Sequence, residues 1–441
     1  MHSAAGSFAK VRKSSNMPSV LAMILAGGEG RRLDPLTLHR AKPAVPFGGK
    51  YRIIDFVLSN FVNSSIFNIA VLTQTKAESL IDHIERAWLS LMGSLVGGIS
   101  INPAQQRVNK DWYLGTADAV YQNFNRISKV NPELVAVFGG DHIYKMNLRE
   151  IIAFHQDRGA DMTIAALKVP VDKAGGQYGV IEVDAEWNMV GFEEKPEKPK
   201  PIPGDPTQCM VSMGNYLFDR DLLTYCFAVD AQKKTVTKDE LKQLLEQDPQ
   251  ARTAHSTHDI GYDIIPFLLQ SGLRVSVYDF ASNVVPGVTG MEVGYWRDVG
   301  TVEEFYDANM DVCGINPIFN LYNTDWPVRT SPSLFPPAKF SFSSEVFNSV
   351  ISEGTILSRT RVLNSVLGCN IRVEDGAAVE YSVVFSNVTV GAGARLRRTI
   401  VDKNVRIPPR ISIGFDRDED ARRGLILSPS GITVVPKGFV F

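Results

Sequence analysis

The sequence predicts two successive architectures: a doubly wound, mostly parallel α/β sheet, then a parallel β-helix. Three observations carry this. Short apolar runs alternate with longer amphipathic segments from Val20 to about Gln270, a proline-rich stretch interrupts them after about Asn316, and a near-hexapeptide apolar repeat follows. The expected divisions are a flexible leader at 1–18, the α/β unit at 19–315, a linker at 316–340 and the β-helix at 341–441.

In order along the chain, the leader is small, polar and basic, and Met17 within it is an alternative start. The run VLAMILA that follows is too short to span a bilayer and ends in Gly-Gly, so it reads as a buried strand. IIDFVLSNFVNS, IAVLTQ, AESLIDHIERAWLSLM and LVAVFGGD continue the alternation. Nearly all-apolar strands imply a sheet covered on both faces, and ligands of such sheets gather at the carboxyl ends of the strands. Two of these ends carry glycines, Gly27-Gly28 and Gly139-Gly140-Asp141, and are expected to open onto one crevice. KPEKPKPIPGDPTQ is rich in Pro and Lys and reads as a surface loop. NTDWPVRTSPSLFPPAKF has no period and reads as a linker or strap.

Beyond it, Ile356, Val362, Leu367, Val373, Val379, Val384, Val390, Leu396, Val401, Ile407 and Ile413 recur at spacings of 6 or 5, closing every 17 residues. Ile356, Val373, Val390 and Ile407 are expected to stack at equivalent corners. One inward aliphatic residue per short strand is what a parallel β-helix needs, because each coil buries its apolar edge only against the next. A β-sandwich with irregular spacing is the alternative.

Composition excludes several classes. With 441 residues and 44% hydrophobic content the chain can bury a large core without disulfides. Lys+Arg at 46 against Asp+Glu at 48 leaves no basic field for nucleic acid or acidic membrane surfaces, so any phosphate binding is local. The four cysteines are dispersed and no 18-residue apolar stretch occurs, so the expected setting is the reducing cytoplasm, with no membrane span.

The chemistry concentrates in LAGGEGRRLDPLTLHRAKPAVPFGGKYRIIDFVLSN. Gly27, Gly28 and Gly30 after a buried strand let backbone N–H groups approach an anion, and Arg31, Arg32, Lys42 and Arg52 follow as cations. The pattern lacks the GxxxxGK[ST] of ATPase loops and the third glycine of the dinucleotide fingerprint. A glycine-rich turn of purely structural purpose remains the alternative at this point.

LAGGEGRRL, RAKPAVPFGGKYRIIDFVLSN, PAQQR, WYLGTADAV, GGDHIYKM, FEEKP, SMGNYLF and YWRDVGT, in this order, resemble the bacterial ADP-glucose pyrophosphorylases, glucose-1-phosphate adenylyltransferases among the sugar-1-phosphate nucleotidylyltransferases. The resemblance runs from Val20 to the EDARR segment at Glu419 to Arg423. It implies a Rossmann-like nucleotidyltransferase fold, a left-handed β-helix, and transfer of the adenylyl group of ATP to glucose 1-phosphate with Mg²⁺ as cofactor, giving ADP-glucose for glycogen or α-glucan synthesis. It also implies a homotetramer with an allosteric site between the domains.

The resemblance further implies site residues. Arg32, Asp141 and Asp298 are the catalytic set, with Asp141 and Asp298 holding the metal. Ala26, Gly27, Gly28, Gly30, Lys42, Gln106, Tyr113, Gly115 and Thr116 face ATP. Gly179, Glu194, Lys195, Ser212 and Asp259 face glucose 1-phosphate. His39, Arg40, Arg52, Arg422 and Arg423 are candidates for a phosphorylated-sugar or other metabolite effector. From the residues alone, Asp141 also reads as a helix cap, Lys195 as a solvated charge and His39 as a solvated loop residue. The chain departs from the family pattern at Arg31, where a small hydroxyl residue is usual, and at His39, where enteric members carry a lysine tied to activation. Rival readings are another sugar nucleotide such as GDP-mannose or UDP-glucose, a non-catalytic regulatory subunit, and an acyltransferase on the β-helix. The last is weak because no histidine follows His258.

Overall fold

The computed structural model describes residues 17–89, 97–104 and 112–441. Its N-terminal part is built on a nine-stranded sheet: β1 Val20–Ala26, β2 Asn68–Thr73, β3 Gly98–Pro103, β4 Leu134–Gly139, β5 Met162–Pro170, β6 Gly179–Val183, β7 Met189–Glu194, β8 Gln208–Asp219 and β9 Val275–Asp279. The order β3-β2-β1-β4 is parallel throughout. The antiparallel β8 then bonds β4 with its C-terminal half, β6 at Met210 and Val211, and β5 along its length. β9 joins β5 in parallel. The sheet is therefore mixed but mostly parallel.

β1 shows why its sequence is apolar at every position. Ala22 and Ile24 pack into one core with Ile54, Val57 and Phe61 of the helix Ile53–Asn63. Leu21 and Met23 enter the opposite core with Val120, Phe227 and Ile264. A strand covered on both faces has no polar side to present, and truncating such a side chain costs about 2–5 kcal/mol. The parallel arrangement also sets Leu25 of β1 beside Gly139 of β4, and Gly140 N–H donates to the Leu25 carbonyl at 2.9 Å. The two glycine-bearing strand ends thus lie side by side.

The proline-rich stretch is packed against the sheet unit. Trp326 is buried and its indole N–H donates to Asn60 Oδ1 at 3.2 Å, while Arg329 N–H donates to Ser59 Oγ at 2.8 Å.

The C-terminal part is a left-handed parallel β-helix of three sheets. Leu357, Val373, Val390 and Ile407 stack in one sheet, Val362, Val379, Leu396 and Ile413 in the second, and Leu367, Val384 and Val401 in the third. Ten of the eleven residues expected inside are buried there; Ile356 is the exception. Ile356 pairs with Arg372, and Leu357 takes the inward place opposite Val373. The reason is one residue fewer between Ile356 and Arg361: the coil from Ile356 to Arg372 is 16 residues long, whereas those from Lys339 to Ile356 and from Arg361 to Ala378 are 17. Turns between strands adopt left-handed backbone at Asn370, Asn387 and Asn404, a conformation asparagine tolerates. Asn370 donates to Asn387 at 2.9 Å and Asn387 to Asn404 at 3.2 Å, tying successive coils together.

The two parts share a core: Phe305 and Phe319 pack in one cluster with Val366, Val383, Phe385 and Ile400 of the β-helix. Arg40 and Asp402, both buried, form a bidentate pair across this junction at 2.9 and 3.0 Å.

Candidate active site

A cleft of about 440 Å³ opens at the carboxyl ends of β1 and β4. Ala26, Gly27, Gly28, Tyr113, Gly115, Thr116, Asp141, His142, Glu194, Tyr216 and Asp259 line it. The glycines serve different ends. A Cβ on Gly27 would press on the Gln74 side chain at 3.0 Å, whereas one on Gly28 would meet nothing within 4 Å. Gly28 therefore leaves backbone bare toward the cleft. Gly30, at φ 66°, starts the short turn Arg31–Leu33.

At one end of the cleft Lys42 is buried, and its ammonium donates to Asp298 Oδ1 at 2.8 Å, to the Asp298 carbonyl at 2.6 Å and to Asp141 Oδ2 at 3.0 Å. Burial opposes the Lys42 charge, but the two carboxylates outweigh it and raise its pKa. Burial likewise opposes the charge on Asp298; Lys42, His142 and Arg32 together hold its carboxyl down at about 2. Arg32 Nη2 stands 3.9 Å from Asp298 Oδ2, and its side chain is otherwise largely exposed. His142 Nε2 lies 3.5 Å from Asp141 and 3.6 Å from Asp298, its ring edge-on to Trp296. Asp141, His142 and Asp298 offer ligand atoms within 4.8 Å of one another. With Asp298 ionised, and one oxygen of each carboxylate outside the Lys42 contact, this donor set fits a hard divalent cation.

At the other end Tyr113 packs beside Gly115 and Thr116. Its hydroxyl donates to the Asn102 carbonyl at 3.3 Å and accepts from Asn123 at 2.9 Å, which fixes the ring. A Cβ on Gly115 would overlap the His258 carbonyl oxygen, so only glycine fits there. Glu194 ends β7 opposite Gly179, where a Cβ would collide with Phe192 and the Glu194 carboxylate. Burial, then the neighbouring Asp259, pushes the Glu194 pKa up. Asp259 accepts from Tyr262 N–H at 2.9 Å and faces Lys238 at 3.7 Å. Ser212 sits where β8 shifts register and accepts from Gly214 N–H at 3.1 Å. Lys195 has left-handed backbone, φ 53°, and a half-exposed ammonium 4.0 Å from Glu194. Gln106 lies outside the described residues.

A model of the nucleotidyl transferase family matches residues 21–314, and one for the GlmU-like C-terminal hexapeptide matches 336–435. The chain is 50% identical over 430 residues to a glucose-1-phosphate adenylyltransferase of Anaeromyxobacter dehalogenans, covering 96% of this chain and 98% of that one. It is 48% identical over 433 residues to the protein of that name from Thermus thermophilus, covering 96% and 99%. For the one from Anaeromyxobacter sp. the identity is 47% over 429 residues, covering 96% and 98%. This chain belongs to the glucose-1-phosphate adenylyltransferase family of nucleotidyl transferases. No described helix is long and apolar enough to cross a membrane.

The candidate effector residues do not form one group. Arg40 is committed to Asp402, with its remaining bond to the Leu36 carbonyl. Arg52 donates to Ser79, and burial, aided by Arg40 and Arg86 against the pull of Asp55, brings its pKa down to about 10. His39 is exposed. Arg422 and Arg423 pair with Glu419 on their own short helix, and Arg423 also donates to the Ser412 carbonyl at 2.8 Å. What the sequence concealed is Lys403, beside Arg52 and Arg40: burial and these two cations push its pKa down to about 7. His142 was legible in GGDH, directly after Asp141, whereas nothing local marks Lys238 or Lys403.

Proposed function

We propose that the chain transfers the adenylyl group of ATP to α-glucose 1-phosphate, releasing pyrophosphate and giving ADP-glucose. The observation that carries this is the pair of carboxylates, Asp141 and Asp298, fixed by Lys42 at one end of a cleft that the bare backbone of Gly28 also lines, a donor set for the divalent ion that would let two phosphate anions approach one another. In the reaction a phosphate oxygen of the sugar attacks the α-phosphorus, a new P–O bond forms there, and the bond to the bridging oxygen breaks as pyrophosphate leaves. The nucleophile is already anionic, since a phosphate monoester has a second pKa of about 6. No general base is needed, and catalysis rests on neutralising and aligning charge.

In this reading Ala26 to Gly30 wrap the triphosphate, Tyr113, Gly115 and Thr116 flank the base, and Arg32, largely exposed at the rim, meets the departing pyrophosphate. Lys195 grips the sugar phosphate. Gly179 supplies clearance, and Glu194, Ser212 and Asp259 accept from or donate to glucose hydroxyls, where an inverted hydroxyl would leave a partner unpaired. Asp141 and Asp298, with His142 beside them, would hold a divalent ion, taken here as Mg²⁺, which supplies charge neutralisation at the phosphates. Arg32, Asp141, Lys195 and Asp298 are all present, which favours a catalytic over a regulatory subunit.

The same reading assigns an anionic metabolite effector to the basic junction around Arg52 and Lys403, with His39, Arg422 and Arg423 as further candidates, and a cytoplasmic homotetramer as the working form. Residues 1–18 are its leader, 19–315 its catalytic unit, 316–340 its strap and 341–441 its β-helix. The test is pyrophosphate release with ATP, GTP and UTP against glucose 1-phosphate and mannose 1-phosphate. The ATP and glucose 1-phosphate pair should dominate; preference for GTP with mannose 1-phosphate, or for UTP, would replace the proposal with its nearest rival.

A further inference from the structure

Three consecutive residues, His258, Asp259 and Ile260, tie the base side of the cleft to the sugar side. The His258 carbonyl accepts from Ala117 N–H at 2.8 Å, in the first turn of the helix Thr116–Tyr121. Ile260 N–H donates to Thr116 Oγ1 at 2.8 Å. Between them Asp259 turns its carboxylate into the cleft toward Glu194. His258 itself adopts left-handed backbone, φ 55°, which a side-chain-bearing residue holds only when its surroundings insist on it.

The surroundings do insist. His258 is buried, and its Nδ1 lies 2.8 Å from Asp230 Oδ2 at the end of the helix Arg220–Asp230. Its Nε2 bonds Thr235 Oγ1 at 2.9 Å. Asp230 Oδ1 accepts from Ser256 Oγ at 2.7 Å, and Ser256 Oγ in turn accepts from the His258 N–H at 2.9 Å. Burial disfavours charge on both partners, yet Asp230 raises the pKa of His258, and His258 with Ser256 and Lys233 lowers that of Asp230. Neither side chain lines the cleft.

We infer that Asp230 and His258 form a positioning pair that sets both substrate subsites at once, by holding the 258–260 backbone against Gly115–Ala117 and with it the Asp259 carboxylate in the cleft. The inference rests on the proposed adenylyl transfer. Its distinguishing consequence is parallelism: loosening the pair must weaken ATP and glucose 1-phosphate together, although no substrate touches it.

The experiment measures KM for each substrate, and binding of ATP alone by calorimetry, in wild type, Asp230→Asn, Ser256→Ala and Val379→Ala. Losing the Asp230 charge should raise both KM values by about tenfold, the range expected when a hydrogen bond to a charged group is lost. Ser256→Ala, a milder change that decides the matter should Asp230→Asn not fold, should raise both by about threefold. Val379, fully buried in the β-helix and away from the cleft, is the control. Truncating it should lower thermal stability and active fraction while leaving both KM values in place. A rise in one KM only, or in neither, would overturn the inference. A wild type inactive with both substrates would instead overturn the proposed function.

Discussion

Lys42→Met removes the cation between Asp141 and Asp298 while keeping most of the volume of the side chain. In the wild type the Asp298 carboxyl sits at about 2 against an ordinary 3.8, because Lys42 and its neighbours outweigh burial. A difference of that size corresponds to roughly 2 kcal/mol of stability. The sign follows from the direction of the shift: a depressed carboxylate contributes above pH 4 and its contribution fades as pH falls toward 2. In the variant burial acts unopposed by Lys42, the carboxyl rises, and the folded protein is penalised at neutral pH and relieved on mild acidification. The melting temperature at pH 7 should therefore fall by roughly 2 °C or more, the gap to wild type should narrow by pH 4.5, and turnover should drop at least ~10²-fold. The assay is thermal melting at both pH values with pyrophosphate release alongside. Adding Asp298→Asn to Lys42→Met should recover stability without activity, since removing both partners costs less than stranding one. An unchanged melting temperature, a gap independent of pH, or a double variant less stable than Lys42→Met would refute the reasoning.

Asp141→Asn should cut turnover by at least ~10²-fold at saturating Mg²⁺ with folding intact, and near-wild-type turnover would remove Asp141 from the catalytic set. Lys195→Ala should raise KM for glucose 1-phosphate strongly and that for ATP little; equal changes in both would contradict a grip confined to the sugar phosphate. At the domain junction Lys403 titrates at about 7, so it is charged below that pH and loses its charge above it. With an anionic sugar phosphate as the effector proposed there, activation midpoints probed with fructose 6-phosphate and fructose 1,6-bisphosphate should rise from pH 6 to pH 8, and Lys403→Arg should flatten the trend, whereas the same trend in both proteins would place the effector elsewhere.

Local sequence determined much of this protein. VLAMILA had to be a buried strand because every position is apolar, and both of its faces proved to be covered. The 17-residue recurrence specified a β-helix because stacking is the only way for so short a strand to bury one aliphatic residue; it missed at Ile356, where a 16-residue coil hands the inward place to Leu357. The glycine-bearing strand ends and the cations behind them marked the crevice. Tertiary structure alone decided what those charges face. Lys42, read as a phosphate contact, is also the bridge between Asp141 and Asp298, and Arg40, read as an effector contact, is spent on Asp402. No periodicity or turn rule relates residues 256 or 362 positions apart. The partner of a buried charge is set by where the whole fold brings an opposite charge within about 4 Å, because in a low-dielectric interior an unpaired ion is too costly to leave alone.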